Sequence, residues 1–473
     1  MRTEHDPTST STSTSTTALT FLGAVDTVTG SRFLLETGGV RVLVDAGLYQ
    51  GLATHRRRNW ETFPIDPAGI DHVVLTHAHL DHTGYLPRLV KDGFRGRVTC
   101  TLETAELAAI VLRDSAHLQQ EDARYANDAG FSKHHPALPL YDDHDVEAAL
   151  QLIEPVDLEH PLALGPGVSV TLRSAGHILG SATAAVRAGE HRVAFSGDLG
   201  RPHHPLLRPP ADPPEADTLV VESTYGDRQH PPPDPMRLAE AVRRTIARGG
   251  SVLVPAFAVD RTELVLLELR RLMERGDIPD VPIFVDSPMA LATLDCYRRA
   301  ASRGGPQVRP EARDLLADLD GPDVRSVHDV EGSMRLNRPR TPSIIISASG
   351  MATGGRVVHH LAHQLPDRRN CVVLTGYQAE GTRGRQLAEG ARQVKIHGHY
   401  VPVRAEVVTV TDFSVHADAH ETIDWLSRAP VPPRTVYVVH GEPRSAVALA
   451  RRVSEELGWT AVVPSYRERV LVD

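Results

Sequence analysis

The segment His77-Ala78-His79-Leu80-Asp81-His82, set directly after the apolar run Val73-Val74-Leu75, constrains this chain more than any other feature. Four metal-binding groups fall within six residues, at the point where a strand is expected to end. Alternation along a strand turns residues 77 and 79 the same way. A following turn lets Asp81 and His82 reach a neighbouring site, so one short segment supplies two half-shells of ligands. So dense a set of imidazoles and carboxylates has few purely structural uses, which makes a metal centre the stronger reading.

Two further segments supply the rest of such a centre. His177, in Ser174-Ala175-Gly176-His177-Ile178-Leu179-Gly180-Ser181, and Asp198, in Ser196-Gly197-Asp198-Leu199-Gly200, each sit in a glycine-flanked turn after a strand-like run. Glycine there allows the backbone to approach a ligand closely. Asp198 carries two oxygens and can bridge a pair of cations, as carboxylates do where two zinc ions are held together. A different chemistry is signalled by Ser349-Gly350-Met351-Ala352-Thr353-Gly354-Gly355, which follows an apolar strand and precedes a helix starting near Arg356. Small residues at a helix N-terminus expose backbone N–H groups, so Ser349, Gly350, Thr353, Gly354 and Gly355 form a seat for a phosphate. The pattern is neither a Walker loop nor G-x-G-x-x-G, and nucleotide-cofactor binding is not indicated. Arg261, Arg383, Arg385 and Arg404 fall near loops and are candidates to line a groove that tracks a nucleic-acid backbone, Arg261 as a phosphate contact.

The chain has 473 residues, enough for roughly two to four domains. Residues 7–17 are almost pure Ser/Thr and cannot bury apolar surface, so residues 1–17 read as a disordered tail. A β-rich opening follows, then a helical stretch over 102–126 and further strands at 168–172 and 193–195. Residues 201–214 are proline-rich and read as a linker. Beyond them, runs at 218–222, 251–254, 283–286, 343–347 and 371–376 are short, continuous and apolar, which is the mark of buried parallel strands in a doubly wound α/β domain. Past residue 395 polar loops and short strands return. The expected division is 18–210 and 395–473 for one domain, with 211–394 inserted into it. Cys100, Cys296 and Cys371 are far apart with no C-x-x-C, which fits a reducing cytoplasm and gives no thiolate metal site. No run approaches the ~18 apolar residues of a membrane span, and the start of the chain lacks the basic-then-apolar order of a signal peptide. A net charge of -9 argues against nucleic-acid binding by a global field, but metal ions, arginines and helix N-termini can hold phosphates locally.

Taken in order, Asp45 in Val44-Asp45-Ala46-Gly47, the H-x-H-x-D-H segment, His177 and Asp198 resemble the four motifs of the metallo-β-lactamase superfamily. Glu222 in Val221-Glu222-Ser223-Thr224, His416 in Ser414-Val415-His416-Ala417 and His440 in Val439-His440-Gly441 resemble further motifs of its β-CASP nucleases. So do Pro255-Ala256-Phe257-Ala258, Asp286-Ser287-Pro288-Met289-Ala290 and the 349–355 segment. The resemblance spans nearly everything from Leu19 onward. It implies an α/β chain with a metallo-β-lactamase αββα sandwich and an inserted doubly wound β-CASP domain. It further implies two zinc ions, one held by His77, His79 and His177, the other by Asp81, His82 and His440, with Asp198 bridging them and Asp45 orienting the ligands from behind. Glu222 and His416 would form a proton-donating pair, placing Asp81, Asp198, Glu222 and His416 in the catalytic machinery. The RNA-cleaving branch has histidine where His440 stands, which implies hydrolysis of single-stranded RNA, endonucleolytic or 5′-to-3′ exonucleolytic, and relatives often form homodimers. Two alternatives remain at this stage: a hydrolase of the same fold acting on small esters or thioesters, and a catalytically silent RNA-binding homologue.

Overall fold

The computed structural model describes residues 16–130, 134–317, 319 and 321–472. The expected disordered tail lies outside the described residues except at its end. There Thr17 opens the strand Thr17–Phe21, pairs with Val472 and is buried, its hydroxyl sharing a 2.9 Å hydrogen bond with that of Thr37. One polar residue at the start of a strand shows no periodicity, so the Ser/Thr composition masks it.

Two seven-stranded sheets face each other. The first runs, in spatial order, Arg469–Val472, Thr17–Phe21, Phe33–Thr37, Val40–Val44, His72–Val74, Arg97–Cys100 and Ile153–Pro155. The second runs Ala461–Val462, Thr435–Val439, Thr218–Glu222, His191–Phe195, Ala182–Ala188, Val168–Ser174 and Leu162–Gly165. Alternation drives the packing: in Val168–Ser174 the buried residues are Val168, Val170 and Leu172, with Ser169 and Thr171 less buried between them. The facing sides share one core that includes Phe21, Val42 and Val220, with Phe33 stacked on Phe195 at 5.8 Å between centroids. Helices close both outer faces, Leu86–Lys91 and Leu102–Asp128 over the first sheet, Ala419–Ser427 and Pro443–Arg452 over the second. This is the αββα sandwich that the resemblance implies.

The third sheet has six strands, all parallel, in the order Val324–Ser326, Ile283–Val285, Ile344–Ser347, Val252–Pro255, Cys371–Leu374 and Glu406–Thr409. Its central runs, such as Ile344-Ile345-Ile346, are buried on both faces because helices cover both. Pro235–Ala247, Arg261–Glu274 and Pro288–Arg303 lie on one side, Arg356–Gln364 and Arg383–Ala388 on the other. Among the described residues no helix is long and apolar enough to cross a membrane.

Three sequence expectations change. Thr218–Glu222 does not open the inserted lobe; it lies in the sandwich, parallel to both His191–Phe195 and Thr435–Val439. A run buried along its whole length reads the same in either sheet. Glu406–Thr409, downstream of the expected return at 395, is an edge strand of the six-stranded sheet. Residues 201–214 are not a free linker: Leu206 and Leu207 are buried in the lobe's core, and the Arg309 guanidinium donates to the carbonyls of Pro202, His204 and Leu207.

Candidate metal centre and active site

The strand His72–Val74 stops three residues before His77, and Leu80–Thr83 is a short helix capped by His79. Strand alternation therefore does not extend to residue 79, and the turn itself brings the rings together. His77 Nε2 and His177 Nε2 lie 3.2 and 3.3 Å from His79 Nδ1, and both face Asp198 Oδ2, at 3.4 and 3.6 Å. On the other side of Asp198, Oδ1 lies 3.3 Å from His82 Nε2 and 3.5 Å from His440 Nδ1. His440 Nε2 lies 3.2 Å from His82 Nε2 and 3.4 Å from Asp81 Oδ2. The ligand atoms of His77, His79, His177 and Asp198 fall within 4.8 Å of one another, as do those of Asp81, His82 and His440. Each oxygen of Asp198 thus faces one group of histidines.

The surroundings fix these rings. Asp45 accepts from His82 Nδ1 at 2.7 Å, from the Thr76 amide at 2.8 Å and from the Thr76 hydroxyl at 2.9 Å, so Nε2 of His82 points inward. His177 Nδ1 faces the Val415 carbonyl at 3.3 Å, which directs its Nε2 inward in the same way. Asp45 and His440 adopt left-handed backbone, with φ of 60° and 50°. Asp and His are among the few side chains found there, and such conformations cost of order 1–3 kcal/mol each where a site demands them. A Cβ on Gly47 would overlap the Asp81 carbonyl, so only glycine lets the Asp45 loop pass against the ligand turn.

Burial drives the pKa of His77 down to about 3, that of His79 down to about 4 and that of His177 well below its ordinary value, leaving three neutral nitrogen donors. At His82 burial opposes the charged form, but the Asp198 and Asp45 carboxylates outweigh it and raise the pKa well above normal. Burial also pushes against ionisation of Asp198 and Asp81, yet the surrounding imidazoles, His440 foremost, hold both carboxyls well below the usual range. Asp198 Oδ1 and His79 Nε2 are buried with no hydrogen-bond partner. A buried anionic oxygen without a donor is costly unless a cation meets it, and an imidazole–carboxylate donor set suits zinc. The residues present therefore fit a metal centre.

At its edge His416 Nδ1 lies 3.2 Å from Glu222 Oε1 and 3.8 Å from Asp198 Oδ2. Glu222 is buried and accepts from the amides of Leu199 and Thr224 at 2.7 and 3.3 Å. Burial works against a charged His416, but the Glu222 carboxylate reverses the balance and raises its pKa. His79, Asp81, Asp198, His416 and His440 line one pocket with Ser349, Thr353 and Arg261. The 349–355 segment is only partly in that wall: Gly350 packs under Phe257, while Gly354 and Gly355 lead into the helix Arg356–Gln364. Arg261 is buried, and its guanidinium already donates to the Thr375 carbonyl, so it braces the pocket more than it reaches into it. Arg383 and Arg385 likewise donate to backbone carbonyls, of Lys395 and Gln378.

Sequence reasoning passed over Thr76, which links Asp45 to His77, and Ser181, whose hydroxyl accepts from the His177 amide at 2.9 Å. Their adjacency to His77 and His177 was the available signal. Tyr225 and Tyr377, which pack edge-to-face beside His416, carried none.

Residues 40–255 match the beta-lactamase superfamily domain, 262–387 the Beta-Casp domain and 400–464 the Zn-dependent metallo-hydrolase RNA specificity domain. The chain is 38% identical to ribonuclease TTHA0252 of Thermus thermophilus, over 91% of this chain and 94% of that protein. It is 30% identical to the RNase J-like protein of Methanocaldococcus jannaschii, covering 94% and 97%. It is 32% identical to the transcription termination factor FttA of Pyrococcus abyssi, covering 94% and 70%.

Proposed function

The chain belongs to the β-CASP family of the metallo-β-lactamase superfamily, and on that premise we propose that it is a ribonuclease hydrolysing phosphodiester bonds of single-stranded RNA with two zinc ions. The observation that carries this reading is Asp198, whose two oxygens each face a separate histidine group, with the His416–Glu222 pair beside it. His77, His79 and His177 would hold one ion, Asp81, His82 and His440 the other, with Asp198 between them. When bound, the ions supply positive charge at the scissile phosphate and lower the pKa of an attacking water. His416, aligned and kept protonated by Glu222, gives its proton to the departing oxygen. Ser349 and Thr353, with amides at the start of the helix Arg356–Gln364, hold a neighbouring phosphate on the opposite wall. Three free, buried cysteines suit a cytoplasmic setting, and a homodimer is part of the proposal because the family resemblance implies it.

The test is metal analysis together with cleavage of end-labelled single-stranded RNA. Wild type is expected to hold two zinc ions and cleave. His82→Ala is expected to lose metal and activity together, and His416→Ala to keep both ions while kcat falls about 10²–10⁴-fold. A protein that binds two zinc ions yet hydrolyses only thioesters or lactams sinks the ribonuclease assignment.

A further inference from the structure

The loop 177–181 belongs to the sandwich, yet partners for much of its backbone come from the inserted lobe. The Leu179 amide donates to the Tyr297 hydroxyl oxygen at 3.1 Å, and the Gly180 amide to Gln307 Oε1 at 3.0 Å. Gln307 Nε2 donates to the Ser181 carbonyl at 2.7 Å. Tyr297 is held in turn, its hydroxyl donating to Asp260 Oδ1 at 2.6 Å. Asp260 Oδ2 faces His204 Nε2 at 3.0 Å. Because His204 Nδ1 accepts from the amides of Leu206 and Leu207 at 3.1 and 3.0 Å, Nε2 carries the proton and donates to the carboxylate. Asp260, Tyr297 and His204 are all buried. Asp260 also has a φ of 71°, where glycine would sit without strain, and although it stands at the N-cap position of the helix Arg261–Glu274 its side chain makes no capping hydrogen bond. A buried carboxylate in a strained conformation is costly, and here its two oxygens serve Tyr297 and His204 and no helix amide.

We infer that Tyr297, Gln307 and Asp260 are positioning residues through which the inserted lobe holds the His177 loop in ligand geometry and ties it to the Arg261 corner of the substrate pocket. The inference rests on the proposed function in treating His177 as a ligand. The lobe on this account helps to build the metal centre as well as to bind RNA. Arg261 follows Asp260 directly, so a shift of the Arg261 corner passes through Asp260 and Tyr297 to the amide two residues beyond His177.

The test uses the full chain with Tyr297→Phe, which keeps the ring and removes the hydroxyl, and Asp260→Asn. Zinc retained against graded chelator, hydrogen exchange at the loop amides in chelated protein, and kcat and KM on single-stranded RNA are measured in parallel. Both variants are expected to release one of two ions at about tenfold lower chelator, in line with the usual cost of losing a group behind a ligand. Faster exchange at Leu179 and Gly180 and a fall in kcat at unchanged KM are expected with it. Should Tyr297→Phe fail to fold, Gln307→Glu, which keeps the acceptor for Gly180 and loses the donor to Ser181, is expected to give the same early zinc release and fall in kcat, with faster exchange at Leu179 but not at Gly180. Wild-type zinc retention and wild-type exchange in the folded variants overturn the inference. Absence of zinc and RNA cleavage in the wild type overturns the proposed function instead, and the exchange measurement on chelated protein still decides whether the clamp exists.

Discussion

Asp45 never faces the centre of the site, yet it holds the His82 ring at 2.7 Å from a strained backbone. Asp45→Asn keeps the size of the side chain and loses the anionic acceptor, so zinc affinity is expected to fall about 10–100-fold, measured by competition with a chromogenic chelator. Unchanged affinity would mean that Asp45 only caps its turn. Gly47→Ala is expected to be worse than its single methyl suggests, because the new carbon meets the Asp81 carbonyl and must displace the ligand turn; loss of metal with a lowered Tm is the readout. At this scale much was legible in advance. His77, His79, Asp81 and His82 are neighbours in sequence, and their density speaks before any fold is known. Thr76 and Ser181 offered only their closeness in sequence to His77 and His177, because a hydroxyl becomes fully informative only once the chain has placed an imidazole or an amide opposite it.

Among the elements, the strand Ile283–Val285 ends at Asp286, which is fully buried and accepts from Arg356 at 2.6 Å, from Ser333 at 2.6 Å and from His360 Nε2 at 2.6 Å. Arg356 is the first residue of the helix after the 349–355 segment, so this carboxylate anchors that segment, the proposed phosphate seat, to the central sheet. Burial pushes the Asp286 carboxyl up, but the bonds from His360, Ser333 and Arg356 outweigh it and leave the pKa lowered. A carboxyl depressed on folding stabilises above its unfolded pKa and ceases to as pH falls through the folded value. Asp286→Asn is therefore expected to cost about 3 kcal/mol at pH 7, and the gap to wild type to close as pH drops below about 3.9, measured by urea unfolding across that range. A gap independent of pH would show that shape, and not charge, matters here. The parallel sheet was readable from its continuous apolar runs, but which sheet owns Thr218–Glu222 was not, since its buried pattern is the same in either setting and only its partners differ.

For the whole molecule, ligands arrive from the first sheet's turn, the second sheet's loops and the end of Thr435–Val439, so metal binding joins segments that folding must already have brought together. Free zinc at a hundred times its dissociation constant is expected to stabilise by about 2.7 kcal/mol per site, and chelator to lower the first calorimetric transition accordingly. A transition indifferent to both zinc and chelator would mean that the folded chain binds no exchangeable zinc, against the proposed centre. The αββα layering followed from the motifs, whereas the grip of the inserted lobe on the His177 loop did not, because Tyr297 and Gln307 lie more than a hundred residues from the amides they meet.

His440 closes the second cluster from the end of a strand that pairs with Thr218–Glu222 across the whole length of the insertion. During synthesis, the strand awaiting this partner and the first ligands emerge long before the residue that completes them. A ribosome still translating the lobe thus carries an unfinished nuclease, unable to assemble its second ligand cluster beside the messenger that encodes it.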